Sequence, residues 1–242
     1  MQKEPSYSVI LPVYNEAGNL ARLIDEINTA IAPSAGERYE IIAVDDCSTD
    51  DSLNQLRQIE ANNPRLRIIT HRMNCGQSAA LVSGLRAARG DVIITMDADG
   101  QNDPADIPAL LDVLAPDVDA VCGVRRKRLD TTVRRISSRV ANGFRNAVTG
   151  DKLADAGCGF RAMRRNVIVE LPAFNGIHRF LPTVLRYQGF RVIEVPVGHR
   201  PRTWGQSKYG IGNRMVRGMV DCLAMRWWKR RVICARRVMQ PA

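Results

Sequence analysis

No apolar run in this sequence reaches the roughly 18 uncharged residues that a membrane-spanning helix needs, and no signal peptide is recognisable. The six cysteines are scattered, with no Cys-x-x-Cys pair. That spacing argues against a disulfide framework or a zinc motif and for reduced thiols in the cytoplasm. Aromatic residues make up only 5% of the chain, which leaves little surface on which nucleic-acid bases could stack. No Gly-x-Gly-x-x-Gly follows the first apolar strand and no Gly-Lys-Ser/Thr occurs, so ordinary dinucleotide and P-loop sites are disfavoured.

What is present fits one folded domain, or one with an appendage: 242 residues, 45% of them hydrophobic. The net charge of +10 hides a division along the chain. Residues 1–124 carry 9 Lys/Arg against 19 Asp/Glu, net −10, and residues 125–242 carry 26 against 6, net +20. A second half so basic implies an anionic partner: phosphates, nucleic acid or a membrane surface.

In the first half, apolar runs alternate with helical stripes. Ser8–Val13, Glu40–Val44, Leu66–Thr70 and Val92–Met96 read as buried strands. A helix capped at or near Asn19 is expected through Leu20, Leu23, Ile24, Ile27 and Ile31, broken at Pro33–Glu37. Others are expected after Ser52 and after Gly76. Strand and helix in this alternation predict an α/β fold, a mostly parallel sheet with helices on both faces. Three strands then end on one rim in polar clusters: Tyr14 and Glu16, Asp45 and Asp46, Asp97 and Asp99. Asp97-Ala98-Asp99-Gly100-Gln101 offers two hard oxygen donors at a strand's carboxyl end, suited to Mg²⁺ or Mn²⁺ and through it to phosphates. Two aspartates after a strand also occur in haloacid-dehalogenase phosphatases. Those carry Thr or Val where this chain has Gln101, and on the first strand instead of the fourth.

Val9–Glu16 (Val-Ile-Leu-Pro-Val-Tyr-Asn-Glu), Val44–Asp50 (Val-Asp-Asp-Cys-Ser-Thr-Asp), Asn74-x-Gly76-Gln77 with Ala80-Leu81 and Gly84, and Met96–Pro104 occur in that order. As a set they resemble the family 2 glycosyltransferases, which implies the GT-A (Rossmann-like) fold and a nucleotide-sugar donor. By that resemblance Pro12, Tyr14, Glu16, Val44, Asp45, Asp46 and Ala98 bind the nucleotide, and Asp97, Asp99 and Gln101 form the metal site. A tyrosine ring offers a flat face to a base, and carboxylates accept from ribose hydroxyls or base N–H groups.

The second half narrows the resemblance. Gly157-Cys-Gly-Phe-Arg161 and Arg202-x-x-Gly-x-Ser207-Lys208-Tyr209 look like the polyprenol-phosphate branch, the dolichol-phosphate mannosyltransferases and undecaprenyl-phosphate glycosyltransferases. This implies that Arg202 and Lys208 close over the donor diphosphate and that Arg125 meets a donor or acceptor phosphate. The Glu-Asp base and Gln-x-x-Arg-Trp motif of processive family members are missing. A sugar hydroxyl must lose a proton and needs such a base, whereas a lipid phosphate is already anionic. The reading is therefore an inverting transfer to polyprenyl phosphate; transfer to a glycan hydroxyl is the alternative, and a non-catalytic basic binding protein the remote one.

Val133, Ile136, Val140, Phe144 and Val148 form a helical stripe with Arg134, Arg135, Arg139 and Arg145 on its flanks. Beyond Gly210, Met215, Val216, Met219, Val220, Leu223, Trp227 and Trp228 are interleaved with Arg and Lys. This predicts a basic amphipathic helix for an anionic leaflet, for packing on the domain, or for docking on an integral membrane partner. The expected organisation is a transferase domain over 1–209, divided at 124/125 into nucleotide/metal and acceptor halves, with a membrane-associating tail over 210–242. Its expected location is peripheral, on the cytoplasmic face of the inner membrane, and nucleic acid is not an expected partner.

Overall fold

The computed structural model describes residues 4–125, 142–168, 171–202 and 211–234. Lys208 of the expected site, with Trp204, Ser207 and Tyr209 and the 126–141 part of the arginine-flanked stripe, lies outside them.

The four early strands form as the apolar runs predict: β1 Tyr7–Val13, β2 Tyr39–Asp45, β3 Leu66–Thr70 and β4 Val92–Thr95. With β5 Ala120–Arg125, β6 Arg161–Arg164 and β7 Val192–Val197 they make one seven-stranded sheet in the order β3-β2-β1-β4-β6-β5-β7. All pairings are parallel except those of β6, which runs antiparallel to both β4 and β5. Pro196 sits on the edge strand β7, where its missing N–H forfeits no ladder bond to an outer neighbour.

Helices cover both faces. α1 (Ala17–Ala35), α2 (Ser52–Asn62) and α4 (Ile107–Val113) bury Leu20, Ile24, Ile27, Leu56 and Leu110 against Val9, Leu11 and Ile94. On the other face α3 (Gln77–Ala87), α6 (Ile177–Tyr187) and α7 (Ile211–Lys229) bury Leu81, Leu85, Phe180, Val184, Cys222 and Met225 against Ile10, Ile42 and Ile93. α5 is the helical stretch 142–149.

Three local expectations are corrected. α1 does not break at Pro33 but runs to Ala35, because Ile31 and Ala35 continue its buried stripe; Gly36 ends it at φ +57°. Asn19 is not the cap of α1 but a buried first-turn residue, donating from Nδ2 to Glu16 Oε2 at 2.9 Å. In α5 the stripe is turned: Phe144 is exposed and Arg145 is buried. Burial of that guanidinium is offset by Thr183 Oγ1, by Asp151 3.7 Å away and by the Phe180 ring beneath it.

Candidate active site

The carboxyl ends of β1, β2 and β4 converge on one rim, as their parallel pairing requires. The turn after β1 is held by Asn15, in a left-handed conformation at φ +56°. Its Oδ1 accepts from Thr49 N at 2.7 Å and Asp50 N at 3.3 Å, while Glu16 N donates to Ser52 Oγ at 2.8 Å. The first two strand ends are thereby fixed to each other. Tyr14 and Pro12 are half-buried on this rim and Glu16 is buried, whereas the side chains of Val44 and Ala98 belong to the core. Val44 and Ala98 can thus meet a ligand mainly through their backbones.

The two adjacent aspartates at the end of β2 do different things. Asp45 is 1% exposed; its Oδ2 accepts from Ser48 N, but its Oδ1 is buried with no hydrogen-bond partner. A buried carboxylate oxygen left unpaired is costly and calls for a donor from a ligand. Asp46 is directed into the loop ahead of α3, accepting from Cys75 N (2.8 Å), Gly76 N (2.7 Å) and His71 Nδ1 (2.7 Å).

Past β4 the chain turns at Ala98–Asp99, and Ala98 points into the core between the two aspartates. Asp97 is wedged between halves of the chain: Gln77 Nε2 donates to its Oδ1 at 2.8 Å, and Gly159 lies against its carboxylate. A Cβ at Gly159 would stand 2.6 Å from Oδ1 and 2.7 Å from Oδ2. Burial and then the neighbouring Asp99 charge raise the Asp97 carboxyl to about 6, against the partial relief of Arg161, Arg125 and Gln77. Asp99 Oδ1 accepts from Gln101 N at 3.1 Å, and its Oδ2 pairs with Arg202. The segment carrying Arg202 is tied down by Arg200 N donating to Gln101 O (2.8 Å) and by Arg200 Nη1 and Nη2 donating to Glu26 and Asp103. The Gln101 amide nitrogen faces His199 Nε2 and Arg200 O.

This end of the site therefore offers two carboxylates and one amide, an all-oxygen set suited to Mg²⁺ or Mn²⁺. Two features fit a cation there. Asp97 is pushed toward protonation by burial and then by its neighbour's charge, and Asp99 already holds a guanidinium. Only two of the three are charged, so ligand oxygens would have to complete the shell.

Across the cleft, Arg125 at the end of β5 is gripped by Asp155 through Nε (2.6 Å) and Nη2 (2.8 Å). Burial lowers its pKa, but the Asp155 pair more than compensates and holds it above the usual value. Four further residues join the site: Gln77 and Arg161, which lie in the quoted motifs without a role there, and Ser78 and His178, to which no motif points. Arg161 is 2% exposed, donates from Nη2 to His178 O at 2.8 Å and has no partner on Nε. Ser78 Oγ lies 2.6 Å from His178 Nδ1 and accepts from Gly176 N at 2.8 Å. Gln77 and Arg161 left a trace as members of motifs, whereas the pairing of Ser78 with His178 left none. α7 packs Cys222, Met225 and half of Trp228 on the domain while exposing Met219, Val220, Leu223 and Trp227 beside Arg226 and Arg230. No helix among the described residues is long and apolar enough to cross a membrane.

Residues 8–171 match the glycosyl transferase family 2 model. The undecaprenyl-phosphate 4-deoxy-4-formamido-L-arabinose transferase of Edwardsiella ictaluri is 37% identical over 220 residues, covering 89% of this chain and 67% of that protein. Its Klebsiella pneumoniae counterpart is 36% identical over 215 residues, covering 88% and 65%. The chain thus spans about two thirds of these relatives. Among solved structures, glucosyl-3-phosphoglycerate synthase from Mycobacterium tuberculosis with Mg²⁺ and UDP superposes with a TM-score of 0.70 at 22% identity, covering 92% of this chain and 79% of that one. A mannosyltransferase from Pyrobaculum calidifontis in complex with GDP-Man and Mn²⁺ superposes at 0.62 and 19% identity, covering 98% and 79%. These two likenesses establish the GT-A-type fold.

Proposed function

This chain belongs to glycosyl transferase family 2, and we propose that it transfers a sugar, with inversion, from a nucleotide-sugar donor to a polyprenyl phosphate. The observation that supports a phosphate acceptor is the pair of guanidiniums, Arg125 at the end of β5 and Arg161 at the start of β6, both acting on Asp97, with three neighbouring carboxylates already engaged. Asp155 is held bidentately by Arg125, Asp151 by Thr183 and Arg186, and Glu194 by the Ala154 and Asp155 amides. A hydroxyl nucleophile would need a base, and these three are already engaged by cations or donors. A phosphate monoester needs instead a cation to bring it up to an anionic donor, and Arg125 and Arg161 supply that. The undecaprenyl-phosphate acceptor in the names of the relatives supports the same choice.

At the donor end, Tyr14 and Pro12 would flank the base, and Asp45 Oδ1 would accept from a base N–H or ribose O–H. Glu16 orders the rim, and Asp46 holds the His71–Gly76 loop in register. Asp97, Asp99 and Gln101 would hold Mg²⁺ or Mn²⁺, which supplies charge neutralisation to the departing diphosphate. Arg202 would exchange Asp99 for a diphosphate oxygen, and Lys208 would share that role. Arg125, fixed in orientation by Asp155, would hold the acceptor phosphate in line with the anomeric carbon. The exposed apolar and arginine-flanked face of α7 would rest on an anionic cytoplasmic leaflet, or against an integral membrane partner, and so present the acceptor's head group to the site.

A panel of UDP- and GDP-sugars, incubated with undecaprenyl phosphate in detergent and Mn²⁺, tests the reaction. Label entering the lipid phase from one donor is expected. Label entering only a soluble glycoside acceptor would overturn it.

A further inference from the structure

Asp97 is served by Gln77, the first residue of α3, and by the charge of Arg161 on β6. One contact between α3 and α6 ties these two together. Ser78, the residue after Gln77, is 4% exposed, and its Oγ lies 2.6 Å from His178 Nδ1. The carbonyl of the same histidine accepts from Arg161 Nη2 at 2.8 Å. His178 thus carries the link to α3 on its side chain and the link to Arg161 on its backbone.

The hydrogen bonds around the ring assign its proton. Arg179 Nε–H, a permanent donor, faces His178 Nε2 at 3.2 Å, so that nitrogen accepts. The imidazole N–H is therefore on Nδ1 and donates to Ser78 Oγ, which accepts a second time from Gly176 N at 2.8 Å. Gly176 precedes α6 with a left-handed backbone at φ +108° and has no side chain to anchor it. Ser78 and His178 do the anchoring from either side. Arg161 is 2% exposed with no partner on Nε, so the direction of its planar fork is set by His178 O.

We propose that, with a polyprenyl phosphate as acceptor, His178 is a positioning residue: through Ser78 it seats the first turn of α6 on α3, and through its carbonyl it aims Arg161 at the space beside Asp97 where the acceptor phosphate meets the donor. A misplacement of about 1 Å at such a point costs about 10²-fold in rate. The donor end is held separately, because Leu81 and Leu85 pack α3 against Ile10 and Ile42 whether or not His178 is present. Loss of the ring therefore acts on the acceptor and spares the donor.

Steady-state kinetics of the full chain, with its preferred donor and undecaprenyl phosphate in detergent, test this together with imidazole ¹⁵N resonance of the three histidines. His178→Ala and Ser78→Ala should each lower kcat/KM for the acceptor by about 10–10²-fold, while the donor KM stays within about twofold of the parent. His178→Asn, whose amide nitrogen stands where Nδ1 stands, should recover most of the loss. His178→Gln, whose amide nitrogen matches Nε2 instead, should not. A side chain that only filled space would not tell the two amides apart. The ¹⁵N signals lost in His178→Asn should belong to a neutral ring with its proton on Nδ1. Parental kinetics in His178→Ala, equal activity of the Asn and Gln variants, an equal loss in donor KM, or a proton on Nε2 would each overturn the proposal. A parent that transfers nothing to undecaprenyl phosphate would overturn the acceptor instead, and the position of the ring proton would still decide for or against the Ser78 anchor.

Discussion

Replacing Asp97 by asparagine removes a buried charge while preserving shape, and its effect should depend on pH. The Asp97 carboxyl is raised from an ordinary 3.8 to about 6 by burial and by Asp99. A carboxyl raised on folding favours the folded chain in its protonated form. That contribution is fully present below about pH 4 and is lost as pH rises through about 6. The full shift is about 2 pH units, or about 3 kcal/mol at 1.36 kcal/mol per unit. Asp97 is half-buried as a residue, and residual solvent reduces this to about 1–2 kcal/mol. For a chain of this size that corresponds to about 2–8 °C in melting temperature. Asp97→Asn should therefore melt higher than the parent at pH 7.5 without metal, with only about a third of that offset left near pH 4.5. Transfer activity should be lost at both. Scanning calorimetry at the two pH values reads this directly. A lower melting temperature for the variant at pH 7.5, or an offset that does not change with pH, would refute the reasoning.

Other expectations concern the groups around that carboxylate and the outer surface. Gly159→Ala pushes a methyl to within 2.6–2.8 Å of the Asp97 carboxylate atoms, so kcat should fall by about 10²-fold with little change in melting temperature; near-parental kcat would count against Asp97 as part of the machinery. Arg202→Ala removes the cation on Asp99, so Mn²⁺ titrated by paramagnetic resonance without nucleotide should bind more tightly while turnover drops. Weaker Mn²⁺ binding would deny that Arg202 competes for Asp99. Leu223→Ser with Trp227→Ser alters only exposed positions of α7. It should abolish co-sedimentation with anionic vesicles and leave thermal stability unchanged; retained sedimentation would separate this face from the membrane.

The first four strands and the acidic rim were legible because each is a contiguous apolar run ending in a breaker and a polar cluster. Such information is local. β6 was not legible: Arg161-Ala-Met-Arg164 has cations at both ends and reads as loop, yet it is a central strand. Its first arginine is buried against His178 O, a partner 17 residues away. The inverted face of α5 has the same cause. Periodicity places Phe144 inward, and only the fold reveals that Asp151, Thr183 and Phe180 wait for Arg145. The glycines of Gly157-Cys-Gly159 did signal close backbone approach, but not that Asp97 is what approaches. Contacts such as Ser78 with His178 and Asp99 with Arg202 span about a hundred residues and leave no periodic trace.

The account turns on a nucleophile that needs no base. The measurement that reaches it most directly compares two acceptors differing only at the head, undecaprenyl phosphate and undecaprenol, across pH with the preferred donor. The account predicts transfer to the phosphate alone, at a rate flat above the second ionisation of the phosphate near about pH 6. Transfer to the alcohol, with a rate that rises as a protein base is deprotonated, would contradict it.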